Sequence, residues 1–361
     1  MEPGQPEPQP AIEPTPVRQN PYRQGAGFLV SAAAFVIVVA GMRAAQDLLV
    51  PFLLSGFIAI IVAPALFFLQ SKKFPTAVAL LVVIAAVIAV GMLVGVLVGG
   101  SVDDFAAKLP LYQERLQTQI HALLAWLTGV GIAVPEDTLL KLMDPGKAMQ
   151  MAALGLRSLG SLLTNTLLIL LTVIFILLEA SSFPHKLRRI LPDPETGFQH
   201  LGRFLENIQH YMAIKSATSL LTGVTIALWL WIVGVDYPLL WGMLAFFLNF
   251  VPNIGSFLAA IPALLLALIQ LGPGGALWAL IGYLIINNLV GNLIEPRFMG
   301  RGLGLSTLVV FLSLVFWGWV LGPVGMFLSV PLTMMAKIAL DSDDQTRWIA
   351  ILLSSGSKEE A

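Results

Sequence analysis

From residue 26 onward, long apolar runs alternate with short polar ones. The apolar segments cover about 26–42, 48–69, 76–100, 156–179, 216–235, 238–270, 275–293 and 304–338. Runs rich in Leu, Ile and Val that reach about 18 residues can span a bilayer as helices, so the pattern predicts an all-α polytopic membrane protein. Between Ser216 and Ile294 the only charged side chain is Asp236, yet the stretch contains Asn249-Phe-Val-Pro-Asn-Ile-Gly-Ser256 and Asn287-Asn-Leu-Val-Gly-Asn292. Charge is sparse because it is costly in hydrocarbon. Amides and helix breakers survive there only where protein or a water-filled cavity satisfies the backbone they free. The combination points to the polar interior of a transport protein.

Two polar linkers interrupt the apolar pattern, at 101–155 and 180–215. In the first, Phe105, Leu109, Tyr112, Leu116, Ile120, Leu123 and Leu127 recur at spacings that share one helix face. Pro110 is expected to disturb that register unless a new helix begins there. Phe198, Leu201, Leu205, Ile208 and Met212 repeat the pattern in the second linker. Such faces pack either onto the chain's own core or onto another subunit, and the excess of apolar helix face predicts a homo-oligomer.

Basic residues orient the spans. Arg18 and Arg23 precede the first, Lys72 and Lys73 follow the second, and Lys186, Arg188 and Arg189 follow the fourth. If the first four spans alternate, all of these lie on one side, which the positive-inside rule makes the cytoplasm. Residues 101–155 are then outside, and 216–235 runs outward to Asp236. Segment 238–270 is long for one crossing and short for two, and Pro252-Asn-Ile-Gly255 breaks it. Only a hairpin with both ends outside lets 275–293 deliver Arg297 and Arg301 to the cytoplasm. Segment 304–338 is broken by Gly322-Pro323 and Gly325, so a second hairpin would enter from inside and leave the C-terminus cytoplasmic. The expected fold is about six full spans plus two Pro/Gly-interrupted segments, either re-entrant hairpins or kinked spans.

Composition fits this class: 57% hydrophobic and 11% charged over 361 residues, against about 25% charged in soluble domains. A net charge of −1 gives no reason to expect a nucleic-acid partner, and the lack of Cys excludes disulfides, thiolate nucleophiles and Cys-based metal sites. The expected organisation is a Pro-rich disordered tail (1–24), three spans (25–100), an extracytoplasmic linker (101–155), a transport core (156–340) containing the cytoplasmic linker 180–215, and a cytoplasmic tail (341–361). The tail lacks the layout of a cleaved signal peptide.

Enzymatic chemistry finds little support. His121, His185, His200 and His210 lie outside the apolar spans and show no metal-binding spacing. Gly300-Arg-Gly-Leu-Gly304 lacks the strand and the Lys-Ser/Thr of a phosphate loop. No Gly-x-Ser-x-Gly elbow is present. No catalytic residue, metal site or cofactor is expected.

Three blocks carry a resemblance: Leu248-Asn-Phe-Val-Pro-Asn-Ile-Gly-Ser-Phe-Leu-Ala-Ala-Ile-Pro262; Asn288-Leu-Val-Gly-Asn-Leu-Ile-Glu-Pro-Arg-Phe-Met-Gly300 followed by Leu305-Ser-Thr-Leu-Val-Val310; and Trp317-Gly-Trp-Val-Leu-Gly-Pro-Val-Gly-Met-Phe-Leu-Ser-Val-Pro-Leu332. Their order and spacing resemble the AI-2E family, the autoinducer-2 exporter-like bacterial membrane proteins. The resemblance implies a multi-pass transporter of the bacterial inner membrane that exports a small polar solute. Some members are implicated in sodium/proton antiport. Beside that reading stand an ion-coupled antiporter using H+ or Na+, and a channel or membrane scaffold.

The solute is expected between the interrupted segments and the Asn-rich helix, at Asn249, Pro252, Asn253, Gly255, Asn287, Asn288 and Asn292, with the bilayer as the other partner. Half-helix N-termini offer unpaired N–H groups there. Glu295, Pro296 and Arg297, with Gly322, Pro323 and Gly325, are expected to form the gate or coupling elements. Arg297 is expected to pair with Glu295.

Overall fold

A computed structural model describes residues 21–130, 166–180, 194–252, 254–299, 304–342 and 346–355. Every regular element among them is helical. The chain divides into two compact units, 1–45 and 46–361. The first contributes α1 (Pro21–Ala44), which starts inside the stretch expected to be a disordered tail; residues 1–20 lie outside the described residues.

The second unit holds α2 (Gln46–Ser71), α3 (Thr76–Gly129), α4 (Thr166–Ala180), α5 (Pro194–Val233), α6 (Pro238–Leu248), α7 (Gly255–Asn288), a π-helical segment (Leu289–Ile294), α8 (Glu295–Met299), α9 (Thr307–Phe327), α10 (Ser329–Asp341) and α11 (Arg347–Leu353). Among the described residues, five stretches are long and apolar enough to cross a membrane: α2, Thr76–Gln119 of α3, Leu205–Val233 of α5, Gly255–Phe298, and α9.

One cluster joins α2, α3 and α4. Ala59, Ala63 and Leu66 of α2 pack with Ala79, Leu80 and Val83 of α3 and with Ile169, Val173 and Leu177 of α4. Ser55, Ala59 and Ala63 recur every four residues, and small residues at that spacing let helix backbones approach closely in a membrane. Ser55 sits at the closest point, with its hydroxyl 2.6 Å from Pro51 O and 3.2 Å from Ile169 O.

The second cluster joins the base of α3 to α5, α6 and α7, with Phe105, Tyr112, Ile226, Leu230, Trp241, Leu266 and Tyr283 among its members. Phe105 meets Trp241 and Tyr237 edge-on, with ring centroids 5.5 and 5.9 Å apart. The first part of the linker 101–155 therefore packs onto the chain's own core. The side chains of Leu116, Ile120, Leu123 and Leu127 lie outside the described residues.

Pro110 does not interrupt α3, contrary to the sequence expectation. Proline removes one backbone bond and crowds the preceding turn. Here the turns on either side are pinned by buried Phe105 and Tyr112, and the exposed Pro110 is carried through. From Pro194 onward, the linker 180–215 and the fifth apolar segment are likewise one helix, α5, with Ile208 and Met212 buried.

α6 runs antiparallel to α5. Trp241 Nε1 donates to Asp236 O near the connection, and Asn249 at the far end of α6 meets Ser219. The chain then turns through Phe250–Ile254 and returns as α7. Gly272 breaks α7 with φ 73° and ψ −169°. The two legs of α7 fold against each other, so that Tyr283 OH lies 3.4 Å from Ala259 O. α9 breaks in the same way at Gly322, with φ 67° and ψ −153°. Both breaks occur in a Leu-Gly-Pro-x-Gly sequence, Leu271–Gly275 and Leu321–Gly325.

The end of the chain folds back on α9. Leu353 O accepts from Ser306 N–H, and Ala350 is buried. Within 341–361, expected to be a tail, the described residues include the helix α11 with its buried Ala350.

Candidate functional site

The break predicted at Pro252–Gly255 is a compact tip. Leu248 O accepts from Val251 N–H at 2.8 Å, Pro252 O from Ile254 N–H at 2.7 Å, and Val251 O from Gly255 N–H at 3.2 Å. Gly255 is buried, and a Cβ there would collide with Leu248 O. Asn249 closes α6 and donates from Nδ2 to Ser219 Oγ at 3.0 Å. Pro252 is half-buried, and Asn253 lies outside the described residues.

Both ends of this segment meet at its base. Asp236 N–H donates to Gln270 Oε1 at 2.9 Å. Tyr112 OH donates to the Asp236 carboxylate at 2.8 Å, and Gln119 Nε2 donates to Ile269 O at 3.1 Å, so α3 clasps the same base.

The second interrupted segment has the same plan. Its ends meet where Lys337 Nζ donates to Gly304 O at 2.7 Å. Its legs are tied by Trp317 Nε1 donating to Thr333 Oγ1 at 2.9 Å. Gly322 marks the break, Pro323 is exposed, and Gly325 is buried with no room for a Cβ beside Trp317 O. The two segments touch where Phe250 faces Phe327, with ring centroids 4.3 Å apart.

The Asn-rich helix is satisfied differently. Asn288 Nδ2 donates to Leu284 O at 2.8 Å, and Asn292 Nδ2 donates to Asn288 Oδ1 at 2.9 Å. Both residues are exposed and Asn287 is half-buried. The π-helical segment between Asn288 and Glu295 had no sequence signal.

Glu295 pairs with Lys215, not with Arg297 as expected. The Lys215 Nζ lies 2.7 and 2.9 Å from the two carboxylate oxygens. The side chains are only 8% and 15% exposed, which makes this a buried pair. Residues two apart on a helix do not share a face, so Arg297 is turned away from Glu295. Arg297 and Pro296 are exposed. Lys215 heads a buried polar face of α5 that continues through Thr218, Ser219 and Thr222. That face escaped notice, although its i, i+3, i+4, i+7 spacing in an apolar span was a readable signal.

A family profile described as AI-2E family transporter matches residues 32–342. The chain belongs to this family. It is 41% identical over 335 residues to the AI-2 transport protein TqsA of Escherichia coli K12, covering 93% of this chain and 97% of that protein. A putative transport protein of Haemophilus influenzae is 39% identical over 331 residues, covering 90% of this chain and 95% of the relative. The putative transport protein YhhT of E. coli K12 is 37% identical over 337 residues, covering 93% and 97%. The protein is a membrane transporter of this family, and its long apolar helices are the part suited to span the bilayer.

Proposed function

We propose that this protein exports a small polar solute such as AI-2 across the bacterial inner membrane, through a path at the meeting of its two interrupted segments. The observation that carries the reading is the juxtaposition of Asn249 with Ser219, beside the Phe250–Phe327 contact. It places amide and hydroxyl groups where two apolar helix breaks converge. Asn249, Pro252 and Gly255 form one wall, and Asn287, Asn288 and Asn292 line the path further along. Pro296, Arg297, Gly322, Pro323 and Gly325 are the pivots. The name of the E. coli relative supports AI-2 as the first solute to test. In proteoliposomes, AI-2 flux is expected from the wild type, and Asn249→Leu should abolish it without loss of melting temperature. Wild-type flux in Asn249→Leu removes Asn249 from the site. No flux of AI-2 or of any solute in a polar panel supports a scaffold instead.

The same proposal holds that the two segments are re-entrant, complementing about six full spans with both termini cytoplasmic. The linker 101–155 is then extracytoplasmic and 180–215 cytoplasmic. The helix α6 has 11 residues, about 16 Å at 1.5 Å per residue, well short of a hydrocarbon core of about 30 Å. The chain lacks native Cys, so single Cys replacements report accessibility cleanly. Gly274 has open space around it and Ser342 is exposed. Gly274→Cys should react with impermeant thiol reagent from outside and Ser342→Cys only from inside; the reverse pattern overturns the topology.

Assembly as a homo-oligomer is also proposed. Only 6% of the most apolar stretch of α3 is buried within the chain. Native mass spectrometry from mild detergent should show a single multimer, and a monomer would argue against it.

A further inference from the structure

We infer that Lys215 is a tethered cation, holding on Glu295 the place that a mobile ion would fill, so that in the native protein this carboxylate takes up neither sodium nor a proton from solution. The inference rests on the reading of the chain as a solute transporter, but not on which solute it carries.

The geometry motivates it. Glu295 starts α8, directly after the π-helical segment, and its backbone N–H bonds back to Val290 O. Local π-helical turns are frequent at functional sites. Both carboxylate oxygens are engaged by one ammonium from α5, and both side chains are withdrawn from solvent. Of the elements packed against Glu295, α5 brings Lys215 and buried Tyr211, the π-helical segment brings no ionisable side chain, and Arg297 on α8 is exposed. Lys215 is therefore the cation that neutralises Glu295 within this group.

A buried carboxylate deprived of its partner must regain a positive charge, by protonation or by taking up a small cation, because a lone ion in low dielectric is strongly disfavoured. In the native protein the ammonium supplies that charge through a covalent tether and cannot exchange with either side of the membrane. The pair is neutral, so a conformational change that moves it carries no net charge through this site. Removing the tether should convert the site into an ordinary cation site. The shared chemistry is one positive charge on Glu295, and the source is either H+ or Na+.

The test compares the wild type, Lys215→Met and Lys215→Met/Glu295→Gln in detergent, by melting temperature in sodium, potassium and N-methylglucamine chlorides at constant ionic strength, at acidic and neutral pH. The wild type and the double variant should melt alike in all three salts. Lys215→Met should melt higher as sodium rises, identifying a sodium site, or higher at acidic pH regardless of salt, identifying a proton site. A wild type stabilised selectively by sodium overturns the inference. So does a Lys215→Met protein indifferent to both variables, or one that cannot be recovered in any buffer, since a replacement cation should rescue it. These readouts use no solute, so absence of AI-2 flux would sink the proposed cargo and leave this result standing.

Discussion

Alanine at Gly322 and alanine at Gly272 are each expected to destabilise the protein more than alanine at Gly274. The first two glycines have φ of 67° and 73° with ψ of −153° and −169°. That region is essentially closed to residues with a Cβ, and forcing one into it costs about 1–3 kcal/mol. Gly272 has open space around it, so its penalty is backbone strain alone. At Gly322 a Cβ would also stand 2.9 Å from the Gln46 side-chain nitrogen. Gly274 has open space and no left-handed φ, and alanine there removes a helix-weakening glycine, worth up to about 1 kcal/mol in the opposite sense. Thermal melts of the three single variants give the order directly. Equal melting temperatures at all three sites would show that neither turn depends on its glycine.

These turns show how far the sequence could be read. Proline and glycine inside apolar runs were visible at Pro252–Gly255 and Gly322–Gly325, and both are breaks in the structure. The Asp236–Gln270 and Lys337–Gly304 bonds tie together the ends of each interrupted segment. The break that matches Gly322 in backbone conformation is nevertheless Gly272, which looked like an ordinary connection between spans. Composition marks where a helix can break, but φ and ψ decide which breaks are alike. Pro110 failed as a signal for the opposite reason: packing of Phe105 and Tyr112 overrode local preference.

The polar contacts were less legible. Tyr112 and Asp236 are 124 residues apart, and Lys215 and Glu295 are 80 apart. Local spacing offered Arg297 as a partner for Glu295, and helical geometry rejects it because residues two apart point away from each other. Asn249 was recognised as a polar residue in an apolar run, but its partner Ser219 sits in another helix among residues that merely look tolerable in a membrane span. Pairing across helices depends on register and rotation, which hydrophobic pattern constrains only to a face.

Lys215→Met and Glu295→Gln are each expected to be costly alone and nearly neutral together. Breaking a buried ion pair by removing one partner typically costs about 3–5 kcal/mol, because the remaining charge is left without compensation. The cost of Lys215→Met should be greatest in sodium-free buffer at neutral pH, where nothing replaces the ammonium. Glu295→Gln instead leaves a buried ammonium facing a neutral amide oxygen, an uncompensated charge of the opposite sign. The double variant removes both charges while keeping side chains of similar length, so no uncompensated charge is left buried. A double-mutant cycle on melting free energies measures the coupling. A coupling energy near zero would make the 2.7 Å contact a packing coincidence. A large coupling with additive, uncompensated loss of flux in the double variant would instead assign the charges themselves to solute movement, since the fold would then be intact and the transport step alone would be impaired.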